Sequence, residues 1–266
     1  MKALAVVIGF VFAVAVAALA VAVAFPDRFG DYLPGFVQSS VQGGPQVVLQ
    51  VEPDGVDMGQ AVTDSIGMID RRLKDLGVRF TVQPQDDNRI LLTVSKTADV
   101  KRVIEVATRR GRLQFRLIET NWRRNMTPEQ AVRGELPAHL EELYGRDGRG
   151  ERLPYMVDKR AVLTGRDVVD AQPAFDARTS EPVLNFKFNA NGTRRFAQAT
   201  QENVGKPFAI VLDNEVLSAP VIREPILGGM GQISGNFTVQ DVADMAILLR
   251  AGELPGRLTV IEQRSP

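Results

Sequence analysis

Hydrophobic and polar positions fall into three regimes along the chain. Residues Ala3–Phe25, "ALAVVIGFVFAVAVAALAVAVAF", are apolar and uncharged. At a helical rise of about 1.5 Å per residue such a run crosses a hydrocarbon layer of about 30 Å. It predicts a membrane-spanning anchor over 1–25. A cleaved signal peptide is the alternative, because Lys2 supplies a charged start and Ala22-Val23-Ala24 fits a small-x-small cleavage site. The run is longer than the usual signal-peptide core of about 7–15 residues, which favours the anchor. Lys2 on one side and Asp27, Arg28 and Asp31 on the other orient it with the N-terminus inside and the bulk of the chain outside. Residues 26–44 carry Pro, Gly and Ser without periodicity and read as a tether.

From Gln46 the pattern becomes regular. "QVVLQVE" is a β-branched strand. Asp57 is placed to N-cap a helix, with Gln60 at the reciprocal position. Val62, Ile66, Ile69, Leu73 and Leu76 form one apolar face, and Gly77 ends the helix. "VRFTVQP" and "RILLTVS" follow as strands joined through "PQDDN". Thr97 is the expected cap of a second helix, with Val100, Val103, Ile104 and Ala107 inward and Gly111 as its stop. "RLQFRLIE" alternates as a sixth element. Strand, helix, strand, strand, helix, strand over 46–119 is the split βαβ, ferredoxin-like order, and the fold class is α+β.

Residues 120–160 are polar and rich in Pro and Gly. They read as an insertion or linker with one short helix announced by "TPEQ" at Thr127–Gln130. Beyond them come the apolar runs "AVLTGRDVVDA" and "PVLNFKF", a helix near "GTRRFAQATQENV", and "PFAIVLD" and "VLSAPVI" around a tight Asp213-Asn214-Glu215 corner. These make a second α+β unit. No period of about 20–50 residues repeats.

Composition removes several function classes. Lys plus Arg and Asp plus Glu number 32 each, so no net field gathers nucleic acid. The pairs Arg71-Arg72, Arg109-Arg110 and Arg123-Arg124 read as solvated helix ends and loops. With no cysteine and His139 as the single histidine, disulfides, thiolate chemistry and multi-histidine metal sites are out; His139 is expected at the surface. Asp57, Asp99 and Asp241 are explained by caps or first-turn positions, and Asp86-Asp87 by a hairpin loop. Asp213 follows a buried-looking strand, but a turn accounts for it; Ser218 lacks a Gly-x-Ser-x-Gly elbow. No catalytic residue, metal site or cofactor emerges.

The stretch "GGMGQISGNFTVQDVADMAILLRAGELP", Gly228–Pro255, has the look of a phosphate loop. Gly229, Gly231 and Gly235 are spaced one residue too far apart for a dinucleotide fingerprint, and no lysine meets the charge. Thr238 and Asp241 fit a capping box for a helix that runs to Arg250, before Gly252 and Pro255 stop it. Its "MAILL", Met245–Leu249, carries more apolar residues than one helix face uses. The surplus is either core covered on a second side or a groove beside the glycine-rich loop. An open groove with a methionine and aliphatic side chains would accept polypeptide, because methionine repacks at low cost.

The residues "GKPFAIVLDNEVLSAPVI" and "GQISGNFT…LLRAGELP" resemble the SecD family of the SecDF protein-export system, densely over Thr164–Arg264. The resemblance implies an N-terminal transmembrane helix and a ferredoxin-like base at 45–119 completed by 256–266 ("GRLTVIEQ"). An α+β head is inserted at 120–255. It implies a non-enzymatic, cofactor-free accessory of Sec-dependent export, anchored in the cytoplasmic membrane by residues 3–25. Such a module binds unfolded preprotein on the outer side and biases it against back-sliding. The implied partners are the Sec translocon and a SecF-like subunit. Ile233, Phe237, Met245 and Leu248 are the expected polypeptide contacts. The 120s linker and Gly252 are the expected hinges. Two departures stand out. The family's Asp-Leu-x-Gly-Gly motif reads "SSVQGG" here, and Pro266 falls where the family continues into further transmembrane helices that couple proton flow; without a charge in Ala3–Phe25 this chain is not expected to relay protons alone. A membrane-anchored adaptor for a folded envelope partner is the alternative function. An envelope enzyme would require a carboxylate cluster, which the sequence does not offer, or a strongly raised carboxylate pKa near Asp213.

Overall fold

The computed structural model describes residues 41, 43–121, 136–146 and 150–265. The expected membrane span, most of the tether and the Thr127–Gln130 helix lie outside them. Among the described residues no helix is long and apolar enough to cross a membrane.

The first unit is a four-stranded antiparallel sheet ordered β13-β1-β3-β2, built from β1 (Gln46–Pro53), β2 (Phe80–Asp86), β3 (Arg89–Val94) and β13 (Gly256–Arg264). Val47, Leu49, Val51, Ile90, Leu92 and Val94 form a core with helices α1 (Met58–Asp75) and α2 (Val100–Thr108). In α1 the buried stripe is Ala61, Val62, Ser65, Ile69, Arg72 and Leu73; burying side chains such as Ile69 and Leu73 contributes about 1.5–3 kcal/mol each. Asp57 caps α1 by accepting from the Gln60 N–H, and Gly77 takes a left-handed φ of 73° past its end. The cap of α2 is Asp99, which accepts from the Arg102 N–H, and not the expected Thr97, whose hydroxyl meets Ser95.

A larger correction concerns β4 (Leu113–Leu117), "LQFRL". Alternation assigned it to this first sheet, yet it pairs with β10 (Phe208–Leu212) in a six-stranded sheet ordered β6-β5-β11-β10-β4-β7. The edge next to β1 belongs to β13. Alternation reports that a strand has an apolar side, and Phe115 finds that side among Phe186, Phe188, Phe196 and Phe208, with ring centroids 5.2–6.2 Å away. The rest of the sheet comprises β5 (Leu140–Arg146), β6 (Arg152–Asp158), β7 (Leu163–Thr164) and β11 (Glu215–Ser218). The β5–β6 hairpin lies in the segment read as linker. Gly145 occupies one of its buried positions because a side chain there would strike the Val216 carbonyl, and this glycine breaks the apolar rhythm. Asp213 and Asn214, both left-handed at φ 52° and 70°, make the tight β10–β11 corner.

A third sheet, β12-β9-β8, joins β8 (Val168–Phe175), β9 (Pro182–Phe188) and β12 (Met230–Ile233). Helix α3 (Ala190–Glu202) is capped by Asn189, and α4 (Val239–Ala251) by the expected Thr238/Asp241 box. The two sheets and these helices enclose one aromatic-rich core.

Two chain crossings join the units, 109–112 outward and 252–255 back. Arg72 of α1, fully buried, pins both. Its Nη1 donates to the carbonyls of Val106, Ala107 and Arg109, and its Nη2 to those of Arg110 (3.1 Å) and Gly252 (2.9 Å). Burial pushes its pKa down to about 10, so it stays charged at neutral pH. This corrects the solvated reading of Arg71-Arg72: position 72 lies on the apolar stripe of α1. Arg109 and Arg110 are half-buried and ion-paired, and Arg123-Arg124 lie outside the described residues.

Candidate functional site

Of the expected contact residues, Ile233, Met245 and Leu248 are 0, 3 and 1% exposed, and Phe237 is half-buried against the same core. The open groove is therefore corrected to covered core. Helix α4 buries Val242, Met245, Ala246 and Leu249 in the aromatic core. Its remaining apolar side meets the first unit: Leu248 lies beside Gly111, Arg102 of α2 pairs with Asp244 at 2.7 Å, and Arg250 pairs with Asp75 of α1 at 2.9 Å. "MAILL" is apolar all round because two layers close on it.

The glycine-rich stretch has a packing reason at each of three positions. A Cβ on Gly231 would strike the ring of Phe186, directly opposite in β9; one on Gly235 would strike Phe237; Gly229, left-handed at φ 63°, lies against Thr193. Met230 and Gln232 thus face out while Gly231 and Ile233 face the core. No backbone cradle for phosphate forms, because Gly229 turns its carbonyl to the Phe188 N–H at 2.8 Å. Around the loop the apolar side chains that reach the surface include Ile226, Leu227 and Met230, at 36, 68 and 62% exposed, and Val239 at 58%. They lie within Pro225–Gln240, a stretch without one charged residue in a chain that is 24% charged. Leu227 and Met230 were missed in the sequence; the absence of charge was the available signal.

The carboxylates at the two chain crossings have structural partners. Asp213 accepts from the N–H groups of Gly111 and Arg112, at 3.2 and 2.8 Å, and pairs with Arg109 at 3.4 Å, so its oxygens hold the outward crossing. Glu253 on the returning crossing pairs with Arg110 and Arg112. His139 is at the surface, as expected. Among the described residues no group of three or more His, Asp or Glu is placed to hold a metal ion. An open groove of about 720 Å³ on the first unit is lined by Arg79, Lys96, Asp99 and Arg102, but Asp99 caps α2 and Arg102 is paired with Asp244. The chemistry on offer at the glycine-rich stretch is apolar contact without charge.

Residues 141–256 match the family model described as SecDF, P1 head subdomain. The chain is 38% identical over 210 residues to the protein translocase subunit SecD of Rickettsia bellii, covering 78% of this chain and 39% of that protein. It is 35% identical over 246 residues to SecD of Acetobacter pasteurianus, covering 91% and 46%. A solved SecDF structure, described as that of a membrane component that enhances protein export, superposes with a TM-score of 0.64 at 27% identity, covering 83% of this chain and all of that one. The chain spans less than half the length of these SecD relatives.

Proposed function

From a chain that is SecD-like over most of its length, with a SecDF P1 head at 141–256, we propose an accessory of Sec-dependent protein export. It holds unfolded preprotein on the outer side of the cytoplasmic membrane and aids its forward movement. The reading is non-enzymatic and needs no cofactor. Residues 3–25 anchor the chain, N-terminus inside; the Sec translocon and a SecF-like subunit are its partners. Sheet β13-β1-β3-β2 with α1 and α2 is the ferredoxin-like base, and β4 through α4 form the inserted head, which moves the base–head boundary from residue 119 to about 112. The strand order 4-1-3-2 in base numbering supports this division.

The observation that carries the reading is the uncharged apolar rim of Ile226, Leu227 and Met230 on the head. Burying such side chains yields about 25 cal/mol per Å², without regard to client sequence, and methionine adapts to varied partners. The contact thus shifts from Met245, Leu248, Ile233 and Phe237 to the exposed side chains of the same stretch.

The test is photo-crosslinking in membrane vesicles that hold an arrested, partly translocated preprotein. Probes at Leu227 and Met230 are expected to capture the preprotein, while probes at buried Leu248 and at exposed Lys74 of α1 stay silent. A discrete product with one folded envelope protein, and none with preprotein, would replace this reading with the adaptor.

A further inference from the structure

The three sheets end in the edge strands β13 and β2, β6 and β7, and β12 and β8. An exposed edge invites another strand unless proline, charge or a cover blocks it. Pro84 lies in β2, Pro154 in β6 and Pro173 in β8, where the Arg250 guanidinium also donates to the Ala171 carbonyl. β7 spans Leu163–Thr164 alone. β13 carries Arg257, Glu262 and Arg264. Among the described residues β12, four residues long, is the edge strand of three or more residues that carries neither proline nor charge.

Register shows what that edge offers. The Phe188 N–H bonds to the Gly229 carbonyl, so 229/188 is a hydrogen-bonded pair; by antiparallel alternation 231/186 and 233/184 are the next. The N–H and C=O groups of Met230 and Gln232 then point away from β9. Among the described residues none donates to or accepts from them. Leu227 and Met230 flank the edge, and the charge-free stretch Pro225–Gln240 surrounds it.

We propose that β12 takes up an extended, uncharged polypeptide segment as an added antiparallel or parallel strand, its backbone bonded to Met230 and Gln232 and its apolar side chains against Leu227 and Met230. This rests on the polypeptide-binding reading above and supplies its mode. Main-chain bonding gives affinity independent of client sequence, and the absence of charge from Pro225–Gln240 itself suits apolar segments.

The experiment uses the full chain in detergent and a fluorescein-labelled decapeptide of alternating valine and threonine with a lysine at each end. Binding is read by anisotropy, in parallel with the preprotein crosslink from Leu227. Gln232→Pro removes an outward N–H that the ladder does not use, so the sheet is kept, which an unchanged unfolding midpoint verifies. Gln232→Ala keeps that N–H and controls for the side chain. Binding is expected to weaken about tenfold or more in Gln232→Pro and for a peptide N-methylated at alternate amides, and to persist in Gln232→Ala. Equal binding in every case overturns strand addition and leaves capture by side chains standing. A crosslink to preprotein without peptide binding also overturns it. Absence of both the crosslink and peptide binding in the parent chain removes the functional reading itself. A dimer in light scattering that Gln232→Pro dissociates, with no peptide bound, makes the occupant a second copy of this chain and overturns the proposal.

Discussion

Leu227 and Leu248 are both leucines of the glycine-rich loop and the helix that follows it, yet they are 68% and 1% exposed. Leu248→Ala leaves a cavity between α4 and the first unit and is expected to cost about 2–5 kcal/mol. Leu227→Ser is expected to stay within about 0.5 kcal/mol of the parent while weakening capture of preprotein. Denaturant midpoints of the two variants check the contrast. Gly231 is a third case. Its hydrogen gives way to the Phe186 ring, so Gly231→Ala is expected to lose about 1–3 kcal/mol by overpacking, read as a lowered thermal midpoint. A glycine that resembled part of a phosphate loop is a packing requirement.

At the scale of elements, caps and stripes were legible because their causes are local. Asp57 and the Thr238/Asp241 box need only neighbours within one turn. β12 and the β5–β6 hairpin were not legible, since Gly231 and Gly145 occupy inward positions where the period-two pattern calls for an apolar side chain. The β8–β9 turn adds a pH dependence. Asp176 is held below the ordinary aspartate value of 3.8 by the backbone N–H groups of Thr179 and Arg178, helped by the Gln232 amide reaching over from β12. A depressed carboxyl pKa contributes stability that is present above the ordinary value and lost as pH falls through the lower one. Protection of the Thr179 and Arg178 amides against exchange is therefore expected to fall below about pH 3.8, and Asp176→Asn to abolish that change.

Across the whole molecule, two crossings and one buried guanidinium decide how the units are joined. Arg72→Met removes a donor from five carbonyls and is expected to cost about 3 kcal/mol. The same variant is expected to expose 109–112 and 252–255 to protease while the strands stay resistant. Protection equal to the parent would show that Asp213, Glu253 and the Leu254 N–H on the Arg110 carbonyl hold the joint unaided. Gly252, read as a hinge, is the residue whose carbonyl Arg72 holds, so any bending there must first break that contact.

The sequence by itself determined the secondary structure of 46–108, the α4 cap and stop, the absence of thiol and multi-histidine chemistry, and the likeness to SecD. Each depends on residue type and short spacing. Only the tertiary structure decided that β4 leaves the first sheet for the aromatic core, that β13 takes the edge in its place, that Met245 and Leu248 are enclosed, and that β12 is left open. Those outcomes depend on which apolar faces meet between segments far apart in the chain, as in the pairing of Gln46 with Arg264. Periodicity states that a face must be covered; the partner that covers it is chosen by packing.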